Sequence, residues 1–174
     1  ITSFMPKLGH SSAMYFDGSG DYLSVGDDED WDFGTGDFTV EGWYRFNSLA
    51  ASMMFFSQYE DSNNRWYIQL ISDKIKLYAV ESSSIMTSTQ TTSTIGFAIN
   101  TWYHITLLRD GTNIRVFVDG IEYAMTDTVS IGSNTMPSCS STMTIGDYDS
   151  NGGYEFNGYM DEIRISKGIA RWTS

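Results

Sequence analysis

Trp102-Tyr103-His104-Ile105-Thr106-Leu107-Leu108-Arg109-Asp110-Gly111-Thr112-Asn113-Ile114-Arg115-Val116-Phe117-Val118-Asp119-Gly120 decides the fold. Two alternating runs of β-branched and aromatic residues flank Arg109-Asp110-Gly111-Thr112, where Asp-Gly can supply the positive φ of a tight hairpin. Tyr103, Ile105 and Leu107 share one face, and Ile114, Val116 and Val118 form a matching apolar row. His104, Thr106, Leu108, Arg115 and Phe117 take the other side. A hairpin this apolar is not stable alone in water, so it calls for a second sheet to cover it. It reads as the centre of an antiparallel β-sandwich.

Outward from the hairpin the same alternation returns. Ser11 to Val25 reads as two short strands around Asp17-Gly18-Ser19-Gly20. Phe38, Val40, Gly42, Tyr44 and Phe46 alternate against Thr39, Glu41, Trp43 and Arg45. Met53 to Tyr59 is a further strand. Trp66, Ile68 and Leu70 alternate against Arg65, Tyr67 and Gln69, and Ile75, Leu77 and Ala79 against Lys74, Lys76 and Tyr78. Ser82 to Thr94 is rich in Ser and Thr and reads as a loop or an exposed edge strand. Met143 to Gly146 and Gly158 to Ser166 close the series. No segment carries a 3.6-residue apolar stripe, so very little helix is expected. Roughly a dozen short strands with turn signals between them predict an all-β, two-sheet sandwich or jelly roll.

At 174 residues the chain is expected to be one domain over 1–174, able to bury about 70% of its unfolded surface without disulfides. Beginning at Ile1, it looks like a segment of a larger parent protein. The formal charge of −12 argues against nucleic acid or an anionic membrane surface as partner, and leaves carboxylates for divalent cations. The single Cys139 excludes an internal disulfide and reads as a loop or core thiol. No apolar run approaches the ~20 residues of a membrane span, so membrane insertion is not expected.

Several stretches together resemble the laminin-G-like branch of the concanavalin A-like lectin/glucanase superfamily. They are Phe16-Asp17-Gly18-Ser19-Gly20-Asp21-Tyr22-Leu23, Phe38-Thr39-Val40-Glu41-Gly42-Trp43, Trp102-Tyr103-His104-Ile105, Arg109-Asp110-Gly111-Thr112, Val118-Asp119-Gly120 and Phe156-Asn157-Gly158-Tyr159-Met160-Asp161-Glu162-Ile163-Arg164-Ile165. The tail Ser166 to Thr173 is similar to members carried on large modular proteins of phages and marine bacteria. The resemblance implies a curved two-sheet jelly roll and an extracellular or virion-surface setting. Its function would be a non-catalytic lectin-like module, or else a structural or adhesion module that binds a surface protein rather than a glycan.

Three sets of residues are candidates for a site. By strand parity Asp161 shares a face with Tyr159, Ile163 and Ile165 and points to the core, where an unpartnered carboxylate costs several kcal/mol. The resemblance implies a structural calcium there, shared with backbone carbonyls of the turn at Asp17 and Gly18. The alternative is a carboxylate tied to backbone amides or an arginine. Asp147-Tyr148-Asp149-Ser150-Asn151-Gly152 has the Asp-x-Asp-x-Asn-Gly spacing that opens a calcium loop, with Asp147, Asp149 and Asn151 as ligands. Its twelfth position is Gly158 rather than Glu and no helices flank it, so it is not an EF-hand and also reads as a solvated turn.

For a glycan, Glu41, Trp43, Arg45, Tyr67, Gln69 and His104 are expected to face outward on a concave sheet face. Rings there would stack on pyranoses, and planar polar groups would take hydroxyls. The competing reading packs these side chains under covering loops, with Glu41 and Arg45 neutralising one another. A rim site of Tyr59, Trp66, Tyr148 and Tyr154 is the other possibility. Catalysis is not expected: Glu41 is the only acid on its strand, so the Glu-x-Asp-x-x-Glu run of laminarinase-type relatives is absent.

Overall fold

The computed structural model describes residues 12–149 and 153–172. In chain order the strands are β1 (Met14–Asp17), β2 (Leu23–Val25), β3 (Phe38–Phe46), β4 (Met53–Tyr59), β5 (Arg65–Ile71), β6 (Lys74–Glu81), β7 (Ser84–Thr91), β8 (Trp102–Asp110), β9 (Asn113–Val118), β10 (Ile121–Tyr123), β11 (Met125–Val129), β12 (Met143–Ile145) and β13 (Asn157–Lys167). One 3₁₀ turn, Glu29–Trp31, sits in the acidic loop and is capped by the Asp28 carboxylate. The first sheet runs β1-β13-β3-β8-β9-β10 and the second β11-β7-β6-β5-β4-β12-β2. Every strand pairing is antiparallel. The chain is thus an all-β, two-sheet antiparallel sandwich, as its alternation predicts.

The β8–β9 hairpin forms in the expected register, with Arg109 opposite Ile114 and Leu107 opposite Val116. Its two-residue loop places Gly111 at φ 59°, and the following turn puts both Asp119 and Gly120 at positive φ, the conformations that match strand twist in tight hairpins. The inner faces meet as parity demands. Tyr44 and Phe46 of β3 lie against Phe55 of β4, with ring centroids 4.7 and 6.3 Å apart, and Phe156 packs on both strands. Each ring buried this way contributes about 2–3 kcal/mol.

One charged residue belongs to this interior. Arg109 is 1% exposed and donates to the carbonyls of Gly111 (2.9 Å), Gly34 (3.2 Å), Asn134 (2.9 Å) and Gly132 (3.0 Å). A planar guanidinium with five donors can bind several carbonyls at once, so the hairpin itself staples the 34 and 132–134 loops.

Three expectations are corrected. Ser82 to Thr94 holds an interior strand rather than a loop or edge: β7, Ser84–Thr91, lies between β6 and β11 and buries Thr87, Thr89 and Thr91, and only the flanking residues are turn or bend. Trp66 is core rather than rim, 1% exposed, with its indole donating to Gln58 Oε1 at 3.0 Å. Asp161 does not point into the core. Met160 does, and Asp161 pairs with Trp43 on the outer face of the first sheet. A bulge between Asp161 and Arg164, with Glu162 at φ 51°, shifts the parity so that Ile163 and Ile165 still pack inward.

The outer face of the first sheet is covered at one end. Thr39 Oγ1 donates to Ile169 O (2.8 Å) and accepts from Arg171 N (3.1 Å), while Trp172 lies near His104 and Phe117, at 5.6 and 6.4 Å between centroids. The C-terminal residues thus fold back over β3, β8 and β9, where Thr106, Leu108 and Phe117 are outward by parity yet buried.

Candidate functional site

The expected glycan residues divide between two faces. Glu41, Trp43, Arg45 and His104 lie on the outer face of the first sheet; Tyr67 and Gln69 lie on the outer face of the second, across the sandwich. Parity predicts that each points outward, but it says nothing of which sheet a strand joins.

On the first sheet Glu41 is 2% exposed and saturated. Arg164 donates to Oε1 through Nε (2.8 Å) and Nη2, Trp172 Nε1 donates to Oε2 (2.9 Å), and His104 Nε2 stands 3.6 Å from Oε2. Glu41 is therefore neutralised by Arg164, not by Arg45. Arg45 donates to Asn47 Oδ1 (3.2 Å) and Asn100 Oδ1 (2.7 Å) and lies over Tyr159. Burial lowers the imidazole pKa of His104, against the pull of Glu41 and Asp119. A cleft of about 340 Å³ opens between Trp43, His104, Glu162, Ile163 and Arg164.

The second sheet carries a cleft of similar size. A groove of about 360 Å³ is lined by Tyr22, Tyr59 and Tyr148, by the hydroxyls of Ser24, Ser141, Thr142 and Thr144, and by Asp149. Two internal polar pairs shape it. Gln58 Nε2 donates to Cys139 O and Ser141 O, both at 2.8 Å, which fixes the wall bearing Ser141 and Thr142. Thr144 Oγ1 donates to Asp147 O (2.9 Å) and Ser57 Oγ to Tyr148 O, which fix the backbone that carries Tyr148. The Tyr148 ring then meets Tyr59 at 5.1 Å, Tyr67 at 5.5 Å and Tyr154 at 5.7 Å, and Tyr67 stacks on Tyr78 at 5.3 Å. Burial pushes the Tyr67 phenol up to about 12, so it stays a neutral donor at any physiological pH. Sequence reading reached the rim tyrosines and Tyr67 separately. Tyr22, Ser141 and Thr142 it missed, since loop residues carry no parity, and Ser24 and Thr144 because their strands β2 and β12 are only three residues long.

The cation candidates also separate. Asp17 pairs with Asn157, so Asp161 stands four residues further along β13, about 13 Å at ~3.3 Å per residue. That is too far for one ion to take the Asp161 carboxylate together with backbone carbonyls of the Asp17-Gly18 turn, so the resemblance-based set does not fit a single site. Asp17 Oδ1 already accepts from Ser19 N (2.8 Å), and Gly18 abuts the side chain of Asn157. In the other loop Asp147 is 1% exposed and accepts from Tyr148 N (2.6 Å). Burial raises its carboxyl pKa, and the charges of Glu155 and Asp149 add to the rise. Asn151 lies outside the described residues. Among the described residues no three His, Cys, Asp or Glu side chains gather into a ready cation cage. Cys139 is buried, and burial pushes its thiol up to about 12.

A laminin G family model, described as concanavalin A-like lectin/glucanases superfamily, matches residues 17–171. The chain belongs to this superfamily. No curated protein matches the sequence significantly. Among solved structures, this concanavalin A-like chain is similar to domain 4 of AbnA, an extracellular arabinanase of Geobacillus stearothermophilus solved with arabinotriose: TM-score 0.68, 17% identity, 95% of this chain and 74% of that one. It is similar to the LG4-5 domains of the mouse laminin alpha1 chain (TM-score 0.64, 14% identity, 88% and 40%). A candidate carbohydrate-binding protein of Bacteroides ovatus gives TM-score 0.64 at 18% identity, covering 88% and 42%. The chain thus spans about 40% of the laminin and Bacteroides chains, and at these identities the likeness shows the fold alone.

Proposed function

We propose that this concanavalin A-like chain is a non-catalytic carbohydrate-binding module of an extracellular protein. The observation that carries the reading is the groove on the second sheet, where tyrosine rings and hydroxyls line one open surface. Sugars present flat C–H faces that stack on rings and hydroxyls that exchange hydrogen bonds with Ser, Thr and Tyr, and the groove offers both. Asp149 is the one carboxylate among its described lining residues, whereas glycoside hydrolysis uses two flanking the scissile bond at ~5–10 Å. The AbnA domain solved with arabinotriose and the Bacteroides protein support the reading by analogy of fold. No helix among the described residues is long and apolar enough to cross a membrane.

Glu41, Trp43, Arg45 and His104 stand second to this groove as a ligand surface, because both Glu41 oxygens are already taken. The proposal also keeps calcium but places it at Asp147 and Asp149, where a buried carboxylate lies among other negative charges. Calcium takes 6–8 oxygens, so backbone carbonyls and water would complete the shell.

The test is a glycan array with calcium present. Binding to one glycan class, abolished by Tyr148→Ala, supports the reading. A module that binds a protein surface instead, as in structural or adhesion roles, gives no signal on any glycan.

A further inference from the structure

The two lateral edges of the sandwich end differently. On one side β10 and β11 are joined through Ala124 alone, and Tyr123 and Met125 pack on the core where the sheets meet. On the other side the edge strands are β1 and β2. Met14 lies opposite Met160, Leu23 opposite Ile145 and Val25 opposite Met143, and those three partners are buried. Parity therefore turns Met14, Leu23 and Val25 to the inner faces. Yet Met14 is 36% exposed, Leu23 39% and Val25 37%. The apolar layer runs on past its last covering strand, and the sandwich has an open mouth along this edge.

β2 adds an open backbone to the mouth. Among the described residues it pairs with β12 alone, and Leu23, Ser24 and Val25 are all exposed. A strand so placed presents a row of unpaired N–H and C=O groups, the template on which an extended segment can add as a further strand. Such a strand would lie about 4.8 Å beyond β2 and set alternate side chains over Leu23 and Val25.

Charge decides which segment fits. Asp17 and Asp21 stand before β2, and Asp27, Asp28, Glu29 and Asp30 after it, all exposed. The hydrogen bonds that Asp17, Asp21, Asp27 and Asp28 accept come from neutral amides, which leave the negative charge in place. A second copy pairing β2 with β2 antiparallel would bring Asp21 of one chain towards Asp27 and Asp28 of the other, and like charges across strands repel. A segment with basic ends meets the opposite field.

We propose that the β2 edge is a docking site for an extended segment of a partner protein, apolar at alternate positions and carrying Lys or Arg at both ends. Its apolar side chains cover Leu23 and Val25, and its ends meet the acidic flanks. This site is independent of the carbohydrate-binding groove and uses the backbone of β2 rather than its outward side chains.

The test titrates the full chain with two short peptides of alternating Val and Thr, one with a Lys pair at each end and one with a Glu pair. Calorimetry reads affinity, and hydrogen exchange reads the amides of Leu23 to Val25. The Lys-ended peptide should bind at least about tenfold more tightly than the Glu-ended one, lose affinity with salt, and add protection at these amides. Leu23→Lys and Val25→Lys alter exposed positions and should each keep the wild-type melt while abolishing both signals. Tyr148→Ala should leave peptide binding unchanged, which separates this inference from the glycan reading. Equal affinity for the two peptides, no binding of either, or binding without added protection at β2 overturns it. So does a dimer in sedimentation that Val25→Lys abolishes, since the occupant is then a second copy. Full protection of all three amides in the free monomer also overturns it, because another segment of the chain itself then fills the edge.

Discussion

Trp172 Nε1 donates to Glu41 Oε2 at 2.9 Å, tying the end of the chain to the middle of β3. Glu41 is buried, and its other oxygen is served by Arg164, whose side chain is half-exposed. Trp172→Ala removes one donor to a buried carboxylate and uncovers Phe117 and Thr106. Hydrogen bonds to charged groups are worth about 1.5–3 kcal/mol, so a loss of about 2–3 kcal/mol is expected in urea unfolding. Trp172→Phe keeps the packing and should lose about half of that. Neither change should alter glycan affinity, because the groove lies on the other sheet.

Arg109 should prove the more demanding residue. Its four carbonyl partners sit in three separate loops, and removing the guanidinium leaves buried acceptors without donors. Arg109→Met is expected to cost about 3–5 kcal/mol. Arg109→Lys should recover little, since three donors on one nitrogen cannot span the same set of carbonyls. A shifted urea midpoint with an unchanged m-value would report this as lost stability rather than altered compactness.

How much of this was legible depends on locality. The inner faces of β3, β5, β6, β8 and β9 follow from period-two alternation, because a covered sheet leaves no choice about which side is apolar. Asp161 defeated the same rule. Tyr159-Met160-Asp161-Glu162-Ile163 reads as one strand in either phase, and only the bulge with Glu162 at positive φ makes Met160 and Ile163 both face inward. The division of Glu41 and Trp43 from Tyr67 and Gln69 was not legible either. Sheet membership is set by long-range pairing, which local pattern does not encode. The tyrosine groove joins β2, β4 and β12 with three loops, so its members lie up to 127 positions apart, from Tyr22 to Asp149.

Gly158 is the position where backbone contact is tightest. A Cβ there would stand 2.1 Å from Arg45 O on the paired strand β3, and the residue has φ 156°. Gly158→Ala must therefore push β13 away from β3 and should cost at least about 3 kcal/mol, enough to threaten folding. Gly153→Ala, at φ 105° with open space around a Cβ, is the control for the cost of an unfavourable φ without a steric clash. Thermal melts of the two variants should differ widely.

Glycan binding should track the second sheet. Tyr148→Ala removes the ring that joins Tyr59, Tyr67 and Tyr154, and an aromatic contact of this kind is worth about 0.5–1.5 kcal/mol beyond area burial. With the lost stacking area, affinity should fall at least about tenfold. Trp43→Ala, on the first sheet beside His104, should leave it unchanged. The reverse pattern would move the site to the cleft at Trp43.

The proposed calcium makes a prediction with a definite sign. Burial, Glu155 and Asp149 raise the folded-state pKa of Asp147 above its unfolded value, so the folded chain binds this proton more tightly. The resulting penalty is absent below the unfolded pKa and complete above the raised one; in chelator, this group should make the fold more stable in mild acid than at neutral pH. Calcium replaces the proton as counter-charge. Adding it at neutral pH should raise the melting temperature and flatten the pH dependence. Asp147→Asn should abolish the calcium response and, in chelator, match or exceed wild-type stability at neutral pH. Asp161→Ala should leave the calcium response intact, because that carboxylate belongs to the first sheet beside Trp43. Identical melts with calcium and with chelator, across pH 5 to 8, would remove calcium from Asp147 and Asp149 while leaving the tyrosine groove untouched.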